Sequence, residues 1–273
     1  MKEPFYHLDY TSGECLFKIF LNEVLIVDNI DGVKSPAGNF LLNTYIYNAG
    51  KQNIRFEIYP KKDQSTFSDN AFIEIYLYGA DQSNGFQNKI DIIPRQTKTP
   101  PTLFKNEGKI ISPPVSWNVE FEAKNPYKIE KNWSDGKVIS VIPDYEKLVV
   151  AVFTEIYQLV KERNAVKLYE LMKESFNRTD IALFENEKSK SNTVKIFEQL
   201  IKQQTIAGNI YRLQELDFGK VRVYGDRKIA DVLRPDGNPI LFFKKDPNDQ
   251  TGVSIDIKLY CDGKSNNNQF KIL

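Results

Sequence analysis

The chain is short of the side chains that do chemistry near neutral pH: its 273 residues include one histidine and two cysteines. Acid–base catalysis and nucleophile activation most often call on an imidazole or a thiolate. His7 sits between Tyr6 and Leu8, remote from any triad-like arrangement, and reads as a surface or strand-edge residue. A Ser-His-Asp site and a zinc site of several histidines are thereby excluded. Cys15 and Cys261 lie near opposite ends without metal-ligand spacing and read as small buried hydrophobes, a bridge being the other option. Charge of one sign is lacking too, with Lys+Arg 37 against Asp+Glu 36. A protein that coats DNA or RNA carries a basic excess, so no nucleic-acid partner is expected. Lys61-Lys62 and Lys244-Lys245 are too short to change that and read as solvated turn ends.

Long apolar runs are missing as well. No stretch approaches the ~18 apolar residues of a membrane span, so no membrane partner is expected. The first twelve residues include Glu3, His7 and Asp9 and do not read as a signal peptide. The expected compartment is the cytoplasm, or the periplasm if a signal peptide precedes the chain. Gly263-Lys264-Ser265 mimics the end of a phosphate loop, but Lys258 stands where its first glycine belongs. Asp246 to Gly252 has calcium-like oxygen donors without the closing glutamate, and reads as a hairpin turn. No catalytic residue, metal or cofactor is therefore assigned, and the chain is not expected to be an enzyme. Its 36 acids leave carboxylate-pair chemistry open, though no pair stands out on a shared face.

What is present is a globular composition, 41% hydrophobic and 27% charged, in a length that fits two domains. From Cys15 to Ala123 the apolar residues alternate in short runs. Ile54-Arg55-Phe56-Glu57-Ile58 and Trp117-Asn118-Val119-Glu120-Phe121-Glu122 are the clearest. Further strands are expected at Leu16 to Leu21, Val24 to Val27, Phe40 to Tyr47, Phe72 to Tyr78 and Lys137 to Ile142, with turns at Gly32, Gly38, Gly50, Gly79 and Gly85. Together these predict an antiparallel β-sandwich over residues 1–142. In the Phe72 strand, Phe72, Tyr76 and Tyr78 share a face with Glu74, which fits either an exposed aromatic stripe or a central strand covered on both sides. Ile92 to Pro126, with Pro94, Pro100-Pro101 and Pro113-Pro114, reads as a long loop system around the Trp117 strand.

At Pro143-Asp144 the period changes to that of a helix, with Leu148, Val149, Val152, Phe153, Ile156, Leu159 and Val160 on one face and Asp144 as N-cap. Asn164 caps a second, shorter helix. A third is expected from Asn192 to Ala207, with Gly208 in its C-terminal left-handed position. Strands follow at Tyr211 to Leu216, Lys220 to Tyr224, Lys228 to Leu233, Pro239 to Lys244, Val253 to Tyr260 and Gln269 to Leu273. Residues 143–273 thus predict an α+β domain, three helices packed on a bent antiparallel sheet.

A long helix, then Glu162-Arg163-Asn164-Ala165-Val166-Lys167-Leu168-Tyr169-Glu170-Leu171-Met172, a third helix and meandering strands resemble the SnoaL-like cone fold, shared by nuclear transport factor 2. That resemblance implies a pocket between helices and sheet. Its lining would be Phe153, Tyr157, Tyr169, Phe242 and Tyr260, and a small-molecule binder or enzyme would use it. Phe17 to Val24, Phe40 to Ile46 and Gly50-Lys51-Gln52 are similar to uncharacterised bacterial two-domain proteins, some of which look like immunity proteins against secreted toxins. That similarity implies a non-enzymatic immunity or adaptor protein with a protein partner such as a secreted toxin or effector. For its contact the irregular stretch Asn125 to Gly136 offers Trp133 and Tyr127, flanked by Lys128 and Lys131. Trp133 equally fits a plug at one end of its own sandwich.

Overall fold

The computed structural model describes residues 1–30, 32, 35–62, 64–100, 114–129, 133–206, 208–246, 248–249, 252–264 and 268–273. Contacts divide the chain into two compact units, Met1–Glu130 and Lys131–Leu273.

The first unit is built from β1 (Pro4–Gly13), β2 (Leu16–Leu21), β3 (Val24–Asn29), β4 (Ala37–Leu41), β5 (Gly50–Tyr59), β6 (Phe72–Asp81), β7 (Lys89–Lys98) and β8 (Val115–Ala123). All pairings are antiparallel, in two four-stranded sheets ordered β4-β1-β6-β7 and β3-β2-β5-β8. Period-2 alternation turns Leu8, Ile73, Ile75 and Leu77 of one sheet and Ile19, Ile54, Phe56 and Ile58 of the other into a single shared core. Between β4 and β5 the expected strand gives way to a 3-10 turn at Asn43–Tyr45. There the fully buried Asn43 side chain accepts from Tyr6 N (2.8 Å) and donates to Pro4 O (2.8 Å). Gly38, Gly50 and Gly79 lie within strands rather than in turns.

Two strands depart from expectation. β1 carries aromatic residues on both faces, Tyr6 and Tyr10 on one and Phe5 on the other, which hides its alternation. β7 contains Pro94 in what reads as loop. It is an edge strand, and Pro94 falls where the pairing with β6 slips between Ile75 and Leu77, so its missing N–H breaks no ladder bond.

The second unit opens with 3-10 turns at Trp133–Asp135 and Ile139–Val141. The apolar residues 138, 139, 141 and 142 repeat every third position, so Ile139 and Ile142 join the core while Val141 is 74% exposed; no strand forms over Lys137 to Ile142. Three α-helices follow among the described residues, α1 (Tyr145–Lys161), α2 (Ala165–Ala182) and α3 (Glu187–Gln203). Asn164 caps α2 through Lys167 N (3.2 Å), as expected, but α2 is no shorter than its neighbours. Asp144 sits at the start of α1 with φ 54° and makes no capping bond, its carboxylate pairing instead with Lys147 (3.0 Å). Asn186 caps α3, and Gln204, not Gly208, takes the left-handed position at its end.

The strands are β9 (Thr205–Ile206), β10 (Asn209–Ile210), β11 (Arg212–Leu213), β12 (Val221–Tyr224), β13 (Ile229–Val232), β14 (Leu241–Lys244), β15 (Val253–Ile255), β16 (Leu259–Cys261) and β17 (Phe270–Ile272). They form antiparallel sheets ordered β12-β13-β16-β17 and β11-β14-β15 and the pair β10-β9, rather than one meander. Ala230, Val232, Leu259, Cys261, Phe270 and Ile272 share a core with Val149, Phe153, Ile156 and Leu168 of the helices.

Candidate functional site

In the first sheet, β1 and β6 pair His7 with Tyr78, Asp9 with Tyr76 and Thr11 with Glu74, all on the face turned away from the core. The His7 ring stacks on Tyr78 (5.1 Å, 9°), and Tyr78 on Tyr76 (5.2 Å, 30°). The Lys89 ammonium lies 4.2 Å from the Tyr78 ring centroid and the Arg95 guanidinium 5.6 Å from that of Tyr76. Asn39 donates to Asp9 Oδ1 (2.5 Å) and faces His7 Nδ1 with its carbonyl oxygen (3.2 Å). A carboxylate only accepts, so Asp9 orients the amide, and the amide requires the proton of His7 on Nδ1. Arg95 holds the Glu74 carboxyl below the usual carboxylate range, and the hydrogen bond to Asp91 raises the Tyr76 phenol. The stripe is therefore a central strand's outer face closed by its own cross-strand partners.

That face ends in the hairpin from β6 to β7, which is open. Every residue from Ser83 to Asp91 is exposed, and among them Phe86 is 45% and Ile90 49% exposed. Gly85 (φ 71°) is followed by Phe86 with φ 62°, an uncommon conformation for a bulky side chain that costs on the order of 1–3 kcal/mol. The turn is pinned by Gly85 N to Gln82 O (2.9 Å) and Phe86 N to Asp81 O (3.0 Å), and the Phe86 ring meets Phe5 edge-on at 5.2 Å. The Asp81 carboxylate accepts from Ser83 Oγ (2.7 Å) and from the backbone N–H groups of Lys2 (2.6 Å), Glu3 (3.1 Å) and Ser83 (3.1 Å).

The Ser83 hydroxyl first, then those backbone donors, pull the Asp81 carboxyl down to about 2 against the opposing effect of burial. A depressed folded-state pKa stabilises above the unfolded value near 3.9, and that contribution is lost as pH falls through about 2. Titrated by NMR, the Ser83 amide should stay in its folded position from neutral pH to about pH 4 and move only near pH 2.

The second unit holds the most enclosed charge. Asp231, 2% exposed, takes a two-pronged bond from its cross-strand neighbour Arg222 (2.7 and 2.6 Å) and a third from the Tyr224 hydroxyl (3.1 Å). Burial and the Asp231 charge push the Tyr224 phenol well above its ordinary value, so it holds its proton. Burial likewise raises the Cys15 thiol to about 11 and the Cys261 thiol above its usual value, so neither supplies a thiolate near neutral pH. Among the described residues no three of His, Cys, Asp and Glu converge to hold a metal ion.

The residues singled out from sequence are differently placed. Trp133 is 6% exposed, a packed side chain rather than an exposed one. Its turn is sealed by Gly136 N to Trp133 O (2.8 Å) and Lys137 N to Cys261 O (2.9 Å). A Cβ on Gly263 would lie 2.1 Å from Asp135 O, so the two backbones touch. Tyr127 is half-buried with its hydroxyl bonded to Asn125 Nδ2 (2.8 Å), Lys128 is exposed, and Lys131 lies outside the described residues. Phe153, Tyr157, Phe242 and Tyr260 are buried and Tyr169 half-buried. Tyr157 donates to Gln214 O (3.2 Å), and Tyr169 stacks on Phe176 (5.3 Å). An open groove of about 440 Å³, lined by Glu146, Lys147, Val150, Gly219, Lys220 and Val221, shares none of them. The turn at Gly85 falls where the sequence places it, but Phe86 and Ile90, the exposed apolar residues beside it, are not singled out there although Asn84-Gly85 marks the tip.

No helix among the described residues is long and apolar enough to cross a membrane. Comparison of the chain with protein-family models, curated proteins and solved structures returns no match.

Proposed function

We propose that this is a non-enzymatic protein-binding protein of the immunity or adaptor kind. In this reading the first unit is a β-sandwich that presents its β6–β7 tip to a protein partner, and the second is a cone-like α+β domain. The observation that carries it is the tip itself. Phe86, strained and 45% exposed with its ring edge against Phe5, and the 49% exposed Ile90 stand on a hairpin whose turn is pinned at Asp81. Strain of this kind persists where surrounding contacts over-determine it. The immunity assignment draws on the similarity of Phe17 to Val24 and Phe40 to Ile46 to such proteins.

The test starts with the partner recovered in stoichiometric amount from the native host. Truncating an interface anchor typically costs ~2–4 kcal/mol, so Phe86→Ala should weaken that complex roughly thirty- to a thousand-fold while the melting temperature holds. Undiminished affinity removes the tip as the contact. Failure to recover a protein, with a metabolite co-purifying instead, overturns the protein-binding reading.

A further inference from the structure

The edge strands of the first unit are protected unequally. β7 has two pairing irregularities and Pro94, β4 is five residues long, and β3 pairs with β2 across a register shift. β8 has none of these devices. Its nine residues pair with β5 without a break, from Ile58 opposite Val115 to Gly50 opposite Ala123, and among the described residues it pairs with no other strand. Val115, Trp117, Val119, Phe121 and Ala123 point inward, while Ser116, Asn118, Glu120 and Glu122 are exposed on the outer face.

The charge on that face is uneven. Lys51, across from Glu122 on β5, reaches diagonally to Glu120 (2.7 Å), and Glu122 has no ion-pair partner among the described residues. A second copy of the chain laid on β8 would crowd another Glu120 and Glu122 onto the same face, and like charges on adjacent strands repel. A strand with cations on alternate residues would instead set one opposite Glu122, which lacks an ion-pair partner among the described residues, and one beside Glu120, which Lys51 already meets. We infer that β8 is a docking edge for an extended segment of a partner protein with lysine or arginine at alternate positions. The segment adds to the sheet by main-chain hydrogen bonds, and Glu120 and Glu122 select it by charge. This rests on the reading as a protein-binding protein but uses a surface distinct from the hairpin tip.

Hydrogen exchange on the full chain tests the edge first. Every second β8 amide should be protected by β5, and the outward ones should exchange as freely as loop amides. Uniform protection in the dilute protein, or protection that grows with concentration, means the edge is filled by the chain itself or by a second copy and overturns the inference. The probe is a short synthetic peptide alternating lysine with valine, read by Trp117 fluorescence and by protection of the outward amides. It should bind, and its glutamate counterpart should not. The Glu120→Lys/Glu122→Lys variant should reverse that preference, changing each affinity by roughly tenfold. No binding, or binding indifferent to the swap, overturns the proposal. Phe86→Ala should leave peptide binding unchanged, so failure at the edge and failure at the tip are told apart.

Discussion

Asp231→Ala should lower the unfolding free energy of the second unit by about 3 kcal/mol, seen in calorimetry as a fall of roughly 10 °C in its melting transition. The carboxylate is 2% exposed, and its removal takes two charge-assisted hydrogen bonds from the Arg222 guanidinium and one from the Tyr224 hydroxyl. Breaking one side of such a pair costs more than the pair contributes, because the charge left behind stays largely out of water. The Arg222 side chain is 19% exposed, so partial hydration holds the loss to the low end of the ~3–5 kcal/mol range. The double variant Arg222→Met/Asp231→Leu should recover most of the loss. A double variant as unstable as the single would mean that the pair's neighbours, not the broken pair, set the penalty.

Trp133→Ala should cost about 3–5 kcal/mol, as expected for truncating a buried aromatic that its surroundings cannot replace. Trp133 sits on a turn whose backbone touches the β16 end, and the Gly136 and Lys137 bonds that fix this contact surround it. The indole nitrogen has no hydrogen-bond partner among the described residues, so Trp133→Phe, which keeps most of the apolar volume, should lose far less than the alanine variant. Thermal unfolding checks both. A Trp133→Ala protein of unchanged stability would mean that the burial of this side chain contributes little to the fold.

The two outcomes share a lesson about what was legible in the residues. β2 falls at Leu16–Leu21 as its alternation requires, and the α1 stripe from Leu148 to Val160 appears as a helix, because one buried face imposes one period. Where both faces carry aromatic residues, as in β1, or where proline sits opposite a slip, as in β7, the period is masked. Trp133 was unreadable for another reason. Its sequence neighbours are polar, and the backbone contacts that fix its turn come from the β16 end, more than a hundred residues away. Asp231 and Arg222 were likewise two charges among many until a hairpin set them opposite each other.

The Asp9–Asn39–His7 chain has a practical consequence. Because His7 is the only histidine in the sequence, the protein's imidazole NMR spectrum is a single spin system. The nitrogen shifts of a neutral ring with its proton on Nδ1 differ from those of the more common Nε2 form, so the tautomer is read directly. That one signal would report, without labels or added probes, on whether β4, β1 and β6 are assembled, since loss of the Asn39 contact from any cause releases the ring to the ordinary tautomer mixture.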